Sequence, residues 1–220
     1  MTSITPLELP PSATGVLLFG GMFDPPHIAH VEIPAKARDE IMPGAWLVYV
    51  PAARSPHKPG GPAAPDAHRI AMLQLATSAV RQCAIWTDEI DRAKEGEPSY
   101  WVITLERARK AIPESLELRF LIGSDQAVAF HRWRDAHRIL ELASPIVMLR
   151  APHNSAGDLL AEMAESGQWT TAELEAWRTR IYDGVRLRAA STDVRQHAKG
   201  SRDLIDPRVE AYIKRNALYR

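Results

Sequence analysis

The chain has 220 residues, 45% hydrophobic and 25% charged, the proportions of a globular protein with room for a sizeable core. Lysine plus arginine and aspartate plus glutamate each number 27, so the formal net charge is zero. That balance argues against a large nucleic-acid footprint or a polybasic membrane contact, yet permits a small anionic ligand held by a few local cations. The single cysteine, Cys83, excludes an internal disulfide and a cysteine-based zinc cage. It lies in the apolar run CAIW and reads as a buried, inert thiol. No run of about 18 apolar residues is present, so no membrane span is expected.

Residues 1–14 lack both a basic n-region and a long apolar h-region and do not read as a signal peptide. Rich in Pro, Ser and Thr, they read as a leader of poor order ahead of a single domain over 15–220, with the cytoplasm as the expected compartment. VLLFGG at 16–21 is a compact β-type run stopped by two glycines, and 28–42 reads as helix with Pro34 as a kink or early break. WLVYVP at 46–51 is a second strand, followed by a Pro/Gly-rich loop and a helix from the N-cap candidate Asp66. CAIWTDEI at 83–90 reads as a third strand, 99–111 as helix and LELRFLIG at 116–123 as a fourth strand. SDQAVAF starts another helix, and PIVMLR at 145–150 is a fifth strand. The stretch 151–184 is less periodic, with a helix near 171–181; VRLRA at 185–189 reads as a short strand, STDVRQHA as a helix start and 207–216 as a closing helix. Strands alternating with helices predict an α/β protein whose open, mostly parallel sheet carries helices on both faces. In such sheets the ligand lies beyond the carboxyl ends of the strands, at a switch in strand order.

The chemistry-bearing residues fall just after strands, as that rule requires. GGMFDPPHIAH at 20–30 follows the first strand directly. Gly20 and Gly21 allow a close approach of backbone to ligand. His27 and His30, three apart at a helix start, project from one face beside free N–H groups that favour an anion. Two histidines without a third His or a carboxylate at suitable spacing make a poor metal site. Asp24 ahead of two prolines is a turn signal. Near the other end, Ser191, Thr192 and Arg195 in ASTDVRQ combine hydroxyls with a cation at a helix start, a suitable cradle for phosphates or simply a capped helix. Asp125 opens the helix after the fourth strand, where capping or a pair of ribose hydroxyls would suit a carboxylate.

GGMFDPPHIAH resembles the GGxFDPxHxxH signature of the nucleotidyltransferases that carry an HxGH motif, with Ala29 in place of glycine and Met22 where many members have Thr or Ser. ASTDVRQ resembles their ISSTxxR signature at Ser191, Thr192 and Arg195, with alanines at its first two positions. VPAARSPHK (50–58), DEIDRAKEGEPSYWVITL (88–105), FLIGSDQAVAFHRWRDAHRIL (120–140) and VEAYIKRNALY (209–219) are similar to segments of bacterial nicotinate-nucleotide adenylyltransferases. The resemblance spans roughly 15–150 and 185–219 and implies a Rossmann-like sheet that transfers adenylate from ATP to nicotinate mononucleotide, releasing pyrophosphate and yielding deamido-NAD.

It implies catalytic roles for His27, His30, Lys58 and Arg195. The ATP contacts it implies come from Gly20, Gly21, Met22, Phe23, His27 and His30, from Gly123 and Asp125, and from Ser191, Thr192 and Arg195. The acceptor side would hold His57, Lys58, Tyr100, Trp101 and Trp133, with Trp133 stacked on the pyridine ring. Trp101 replaces a family Thr whose backbone serves the nicotinate carboxylate. Magnesium is expected on the triphosphate, held by substrate oxygens and water rather than by protein side chains. The partners expected are ATP and nicotinate mononucleotide, with no nucleic acid and no membrane; a homo-oligomer stays open. Nicotinamide mononucleotide or phosphopantetheine as acceptor, or nucleotide binding without turnover, remain the alternatives.

Overall fold

The computed structural model describes residues 3–54, 61–93, 99–184 and 204–219. Strands β1 (Gly15–Gly21), β2 (Trp46–Pro51), β3 (Cys83–Ile85), β4 (Glu117–Gly123), β5 (Ser144–Met148) and β6 (Ile181–Tyr182) form one sheet in the order β3-β2-β1-β4-β5-β6. All of these neighbours pair in parallel. The chain therefore winds outward from β1 to β3, then returns to the far side of β1 for β4. The switch between the two halves lies at the β1–β4 pair, where such sheets open a crevice at their carboxyl ends.

The inner strands β1, β2, β4 and β5 are largely buried on both faces, which is why they read as unbroken apolar runs. Val16, Leu18, Val48, Val50, Phe120, Ile122 and Val147 face one layer of core. Leu17, Phe19, Leu47, Tyr49, Leu121, Ile146 and Met148 face the other. Helices α1 (Ile28–Ile41) and α2 (Asp66–Thr77) cover the second face through Ile33, Ala37 and Leu73. On the first face pack α4 (Trp101–Ala111), α6 (Ala136–Leu142), α7 (Ala156–Glu165) and α8 (Thr171–Arg178). The short helices α3 (Asp88–Ala93) and α5 (Ser124–Val128) and a 3-10 turn at Phe130–Arg132 fill the connections. The closing helix α9 (Pro207–Arg215) seals α2, with Val209 against Met72 and Ala76.

Four expectations change. α1 runs through Pro34 to Ile41 without an early break. Pro34 lacks the amide that would reach the His30 carbonyl, and the Tyr49 hydroxyl donates there instead, at 3.0 Å. Residues 151–184, expected to be less periodic apart from a helix near 171–181, contain α7 in addition to that helix, α8, each begun by a side-chain cap: Ser155 accepts from the Asp158 amide and Thr170 from the Glu173 amide. The leader, expected to be of poor order, is bound along the α3–α4 face from residue 3 onward, with Ile4, Leu7 and Leu9 packed on the core. The predicted strand at 83–90 is also shorter, since Asp88 begins α3.

What fastens the leader is a buried charge cluster. The Thr5 amide and hydroxyl donate to Asp88 and Asp91, and its carbonyl accepts from Trp86 Nε1. Asp88, with none of its side chain exposed, accepts from Arg92 at 3.1 Å and from Arg107 at 2.6 Å. Burial alone would raise the Asp88 pKa. Hydrogen bonds from Arg107 and the Thr5 amide, with the charges of both arginines, outweigh it and hold the carboxyl below its ordinary value. Removing one member of such a cluster strands two buried guanidinium groups. Asp88→Ala should therefore cost about 3–5 kcal/mol in urea unfolding, and a loss under about 1 kcal/mol, the surface-pair range, would show that the cluster is solvated.

Candidate active site

The GGMFDPPHIAH turn leaves the carboxyl end of β1 at the switch point. Phe23 takes a positive φ of 46° and turns its ring inward against Phe19 and Tyr49. The Phe23 side chain, expected among the ATP contacts, is part of the core. The Met22 carbonyl accepts from buried Arg69 at 2.6 Å. Asp24 accepts from the Ala63 and Ala64 amides and from the Tyr219 hydroxyl, so it binds the turn to the loop before α2 and to the C-terminal segment.

His27 and His30 come together as stacked rings, with centroids 3.6 Å apart and planes 19° apart. His30 Nδ1 accepts from the His27 amide at 3.3 Å. A nitrogen that accepts an amide carries no proton, so the His30 ring presents Nε2–H. His27 is only 4% exposed, and its Nδ1 has no hydrogen-bond partner. Burial first, and the charge of Arg150 second, lower its pKa from the ordinary 6.5 to about 4. At neutral pH His27 is therefore an uncharged donor and not a cation. The substitution at Ala29 is also explained: it lies in the first turn of α1 and is not among the positive-φ residues, so no glycine is required there.

Across the switch point, Gly123 ends β4 and Asp125 sits exposed in the first turn of α5. Arg150, just past β5, crosses directly over Gly123: a Cβ there would lie 2.5 Å from Arg150 Nε. Its guanidinium is 3.6 Å from Asp125 and half-exposed. The sequence reading passed over Arg150 as the last residue of a strand, although a cation immediately after a strand at the switch point was a usable signal.

The aromatic side is assembled too. Trp101 opens α4 and lays its six-membered ring on Gly20, where an added Cβ would fall 2.7 Å from Cζ3. The Trp101 Nε1 is buried and lacks a hydrogen-bond partner. From Trp101 an aromatic array runs through Phe120 (5.8 Å) and Phe130 (6.4 Å further) to Trp133 (5.1 Å from Phe130). Tyr100 carries the Arg134 guanidinium on its face, 4.8 Å from the ring centre. Beneath them Glu89 accepts from Thr104, which accepts from Arg92, fixing the start of α4 against α3. His57, Lys58, Ser191, Thr192 and Arg195 lie outside the described residues, as do the VRLRA strand and the STDVRQHA helix start. Among the described residues no group of three His, Cys, Asp or Glu is placed to hold a metal ion, and no helix is long and apolar enough to cross a membrane.

A family model described as cytidylyltransferase-like matches residues 18–197. A probable nicotinate-nucleotide adenylyltransferase of Chromobacterium violaceum is 33% identical over 213 residues, covering 92% of this chain and 97% of the relative. Another, of Roseiflexus castenholzii, is 36% identical over 210 residues, covering 94% and 98%. The chain belongs to the nicotinate-nucleotide adenylyltransferase family. At the level of fold, a Plasmodium falciparum nicotinic acid mononucleotide adenylyltransferase complexed with NaAD superposes with a TM-score of 0.68 at 15% identity, covering 94% of this chain and 97% of that one. A second P. falciparum structure of that enzyme, complexed with APC, gives a TM-score of 0.66 at 15% identity, covering 94% of this chain and 97% of that one.

For this member of the adenylyltransferase family the low pKa of His27 has a measurable consequence. The folded-state pKa lies below the unfolded value, so as pH falls the unfolded chain takes the proton first. The stability contributed by neutral His27 is full above about pH 6.5 and is lost as pH falls toward about 4. Against His27→Gln, the parent's unfolding free energy should drop by on the order of 3 kcal/mol across that window. A difference that stays flat would mean that His27 takes up its proton at the same pH in the folded protein as in the unfolded chain.

Proposed function

We infer that this chain catalyses adenylyl transfer from ATP to nicotinate mononucleotide, forming deamido-NAD and pyrophosphate in NAD biosynthesis. The observation that carries the site assignment is the stacked His27–His30 pair at the end of β1, facing Arg150 and Gly123 across the sheet's switch point.

An acceptor phosphate oxygen attacks the α-phosphorus of ATP; the bond to the β-bridging oxygen breaks, and pyrophosphate leaves with that electron pair. A phosphate monoester is already largely dianionic at neutral pH, so no general base is required. The barrier is the approach of anions: two unit charges about 4 Å apart at an effective dielectric of about 20 repel by about 4 kcal/mol. Neutralisation and alignment are what the protein must supply. His27 and His30 serve as neutral N–H donors to the phosphates. Arg150 adds positive charge at Gly123, and Lys58 and Arg195 are assigned to the same task. Asp125 suits the ribose hydroxyls. Magnesium arrives with ATP as part of the substrate, its coordination filled by phosphate oxygens and water. On the acceptor side Trp133 offers a flat face to the pyridine ring, with Tyr100 and Trp101 lining the approach over Gly20.

Two measurements test this reading. With ATP and Mg²⁺, pyrophosphate release should favour nicotinate mononucleotide over nicotinamide mononucleotide and phosphopantetheine. Preference for another acceptor would overturn the assignment of the Trp101 side while keeping the ATP side, and ATP binding without release from any acceptor would leave a binding protein. Separately, His27→Ala should lower kcat by about 10²-fold or more, the cost of removing a donor aimed at developing charge. Parent-like turnover in that variant would remove His27 from the mechanism.

A further inference from the structure

Directly behind Arg150 lies a buried polar chain that adenylyl transfer does not itself call for. His153 is 5% exposed; its Nδ1 is 3.1 Å from Ser124 Oγ and its Nε2 is 2.7 Å from Glu162 on α7. Ser124, with none of its surface exposed, meets the main chain of Arg150 twice. Its Oγ accepts from the Arg150 amide at 3.1 Å and lies 3.2 Å from the Arg150 carbonyl. That carbonyl also accepts from the His153 amide at 2.9 Å.

A serine, a histidine and a carboxylate in line invite comparison with a hydrolytic triad, and two features exclude it. The hydroxyl is sealed from any substrate and held by neighbouring groups, accepting from the Arg150 amide and lying within hydrogen-bond reach of the Arg150 carbonyl and His153 Nδ1. The imidazole is also reversed, with Nε2 toward the acid and Nδ1 toward the serine. What the chain can do is hold a backbone in place.

We propose that Glu162, His153 and Ser124 form a positioning relay that fixes the Arg150 backbone, and through it the guanidinium over Gly123, for the phosphates of the bound nucleotide. The hydrogen-bond accounting closes in both proton states of the histidine. With His153 neutral, the Ser124 hydroxyl donates to Nδ1 and Nε2–H donates to Glu162, while the Arg150 carbonyl keeps the His153 amide. With His153 protonated, Nδ1–H donates to Ser124 Oγ and the serine proton turns to the Arg150 carbonyl. The link to Arg150 thus persists whichever form is present, with Asp125, Asp158 and Glu162 the carboxylates nearby. Position matters because Arg150 crosses Gly123 with no space to spare, and a small displacement of its backbone moves a long, half-exposed side chain by more.

This inference rests on the adenylyl-transfer reading, so its test includes a binding measurement independent of turnover. ATP affinity by calorimetry, and KM for ATP with kcat by pyrophosphate release, are compared for the parent, His153→Ala, Arg150→Ala and the double variant. His153→Ala should weaken ATP binding and raise its KM by about tenfold, within the range of coupled neighbours, with a much smaller change in kcat. In the Arg150→Ala background the same change should add nothing further. His153→Asn, whose amide reaches the place of Nδ1, should recover most of the affinity. If His153→Ala fails to fold, Glu162→Ala at the half-exposed outer end carries the same cycle with a smaller effect. Additive losses in the cycle, or an unchanged ATP affinity, would overturn the relay. Calorimetry decides this even if no acceptor supports pyrophosphate release, an outcome that would sink the reaction and not the relay.

Discussion

The pairing of β1 with β4 is the contact on which the rest of the molecule depends. Val16 to Phe19 lie beside Leu118 to Leu121, two segments about a hundred positions apart in sequence. Closing so long a loop costs entropy that no local propensity offsets. It is made favourable by residues such as Leu17, Leu18, Phe120 and Leu121, each buried almost completely, at roughly 25 cal/mol for every Å² removed from water. Once that pair forms, the connections on its two sides must run away from each other. The carboxyl ends of β1, β4 and β5 then converge on one crevice, and with them Gly20, Gly123 and Arg150. The site is a consequence of strand order before it is a consequence of any one side chain.

Strand order alone would leave a soft crevice. Its polar groups are fixed from behind by buried partners: Arg69 on the Met22 carbonyl, Tyr49 on the His30 carbonyl, Ser124 on the Arg150 main chain. Each of these satisfies a backbone group that would be costly to leave bare away from water. The exception is informative. His27 Nδ1 is buried and unpartnered, and the same burial keeps the ring neutral. A neutral imidazole does not repel a neighbouring cation, so His27 can stand near Arg150 before any anion arrives. Two full positive charges in that place would oppose folding, whereas a neutral donor and a cation coexist.

Sequence reasoning reached the parts of this arrangement that depend on local pattern. The strands β1, β2 and β4 are near-continuous apolar runs, and glycines end β1 and β4, so sheet, turn and motif were all legible. It failed where the decisive partner is remote. Nothing near Pro34 announces that Tyr49 will replace its missing amide. Nothing in MTSITPLELP announces Asp88, some eighty residues on, as the acceptor for Thr5. Phe23 looked like a ligand contact because it sits inside the motif, yet its ring completes the core under His30. The aromatic array is an intermediate case: Trp133 stood out alone, but its coupling to Trp101 runs through Phe120 and Phe130, whose roles only the sheet reveals.

Two departures from the family pattern, Ala29 and Trp101, look alike as substitutions and differ physically. Ala29 occupies ordinary helical backbone, so its methyl group meets no conformational penalty and the turn before it is undisturbed. Trp101 reaches across the crevice to the first glycine of the motif, and that contact leaves no room for any side chain at position 20. In the proposed reaction the glycine serves two surfaces at once, its backbone turned to the nucleotide and its bare Cα accepting the indole. A bulky residue on α4 and a bare one on β1 form a single complementary pair. The start of α4 is consequently tied to the carboxyl end of β1. In the proposed reaction, a change in the size of either residue alters the separation between the two reacting phosphates, the quantity to which an in-line displacement is most sensitive.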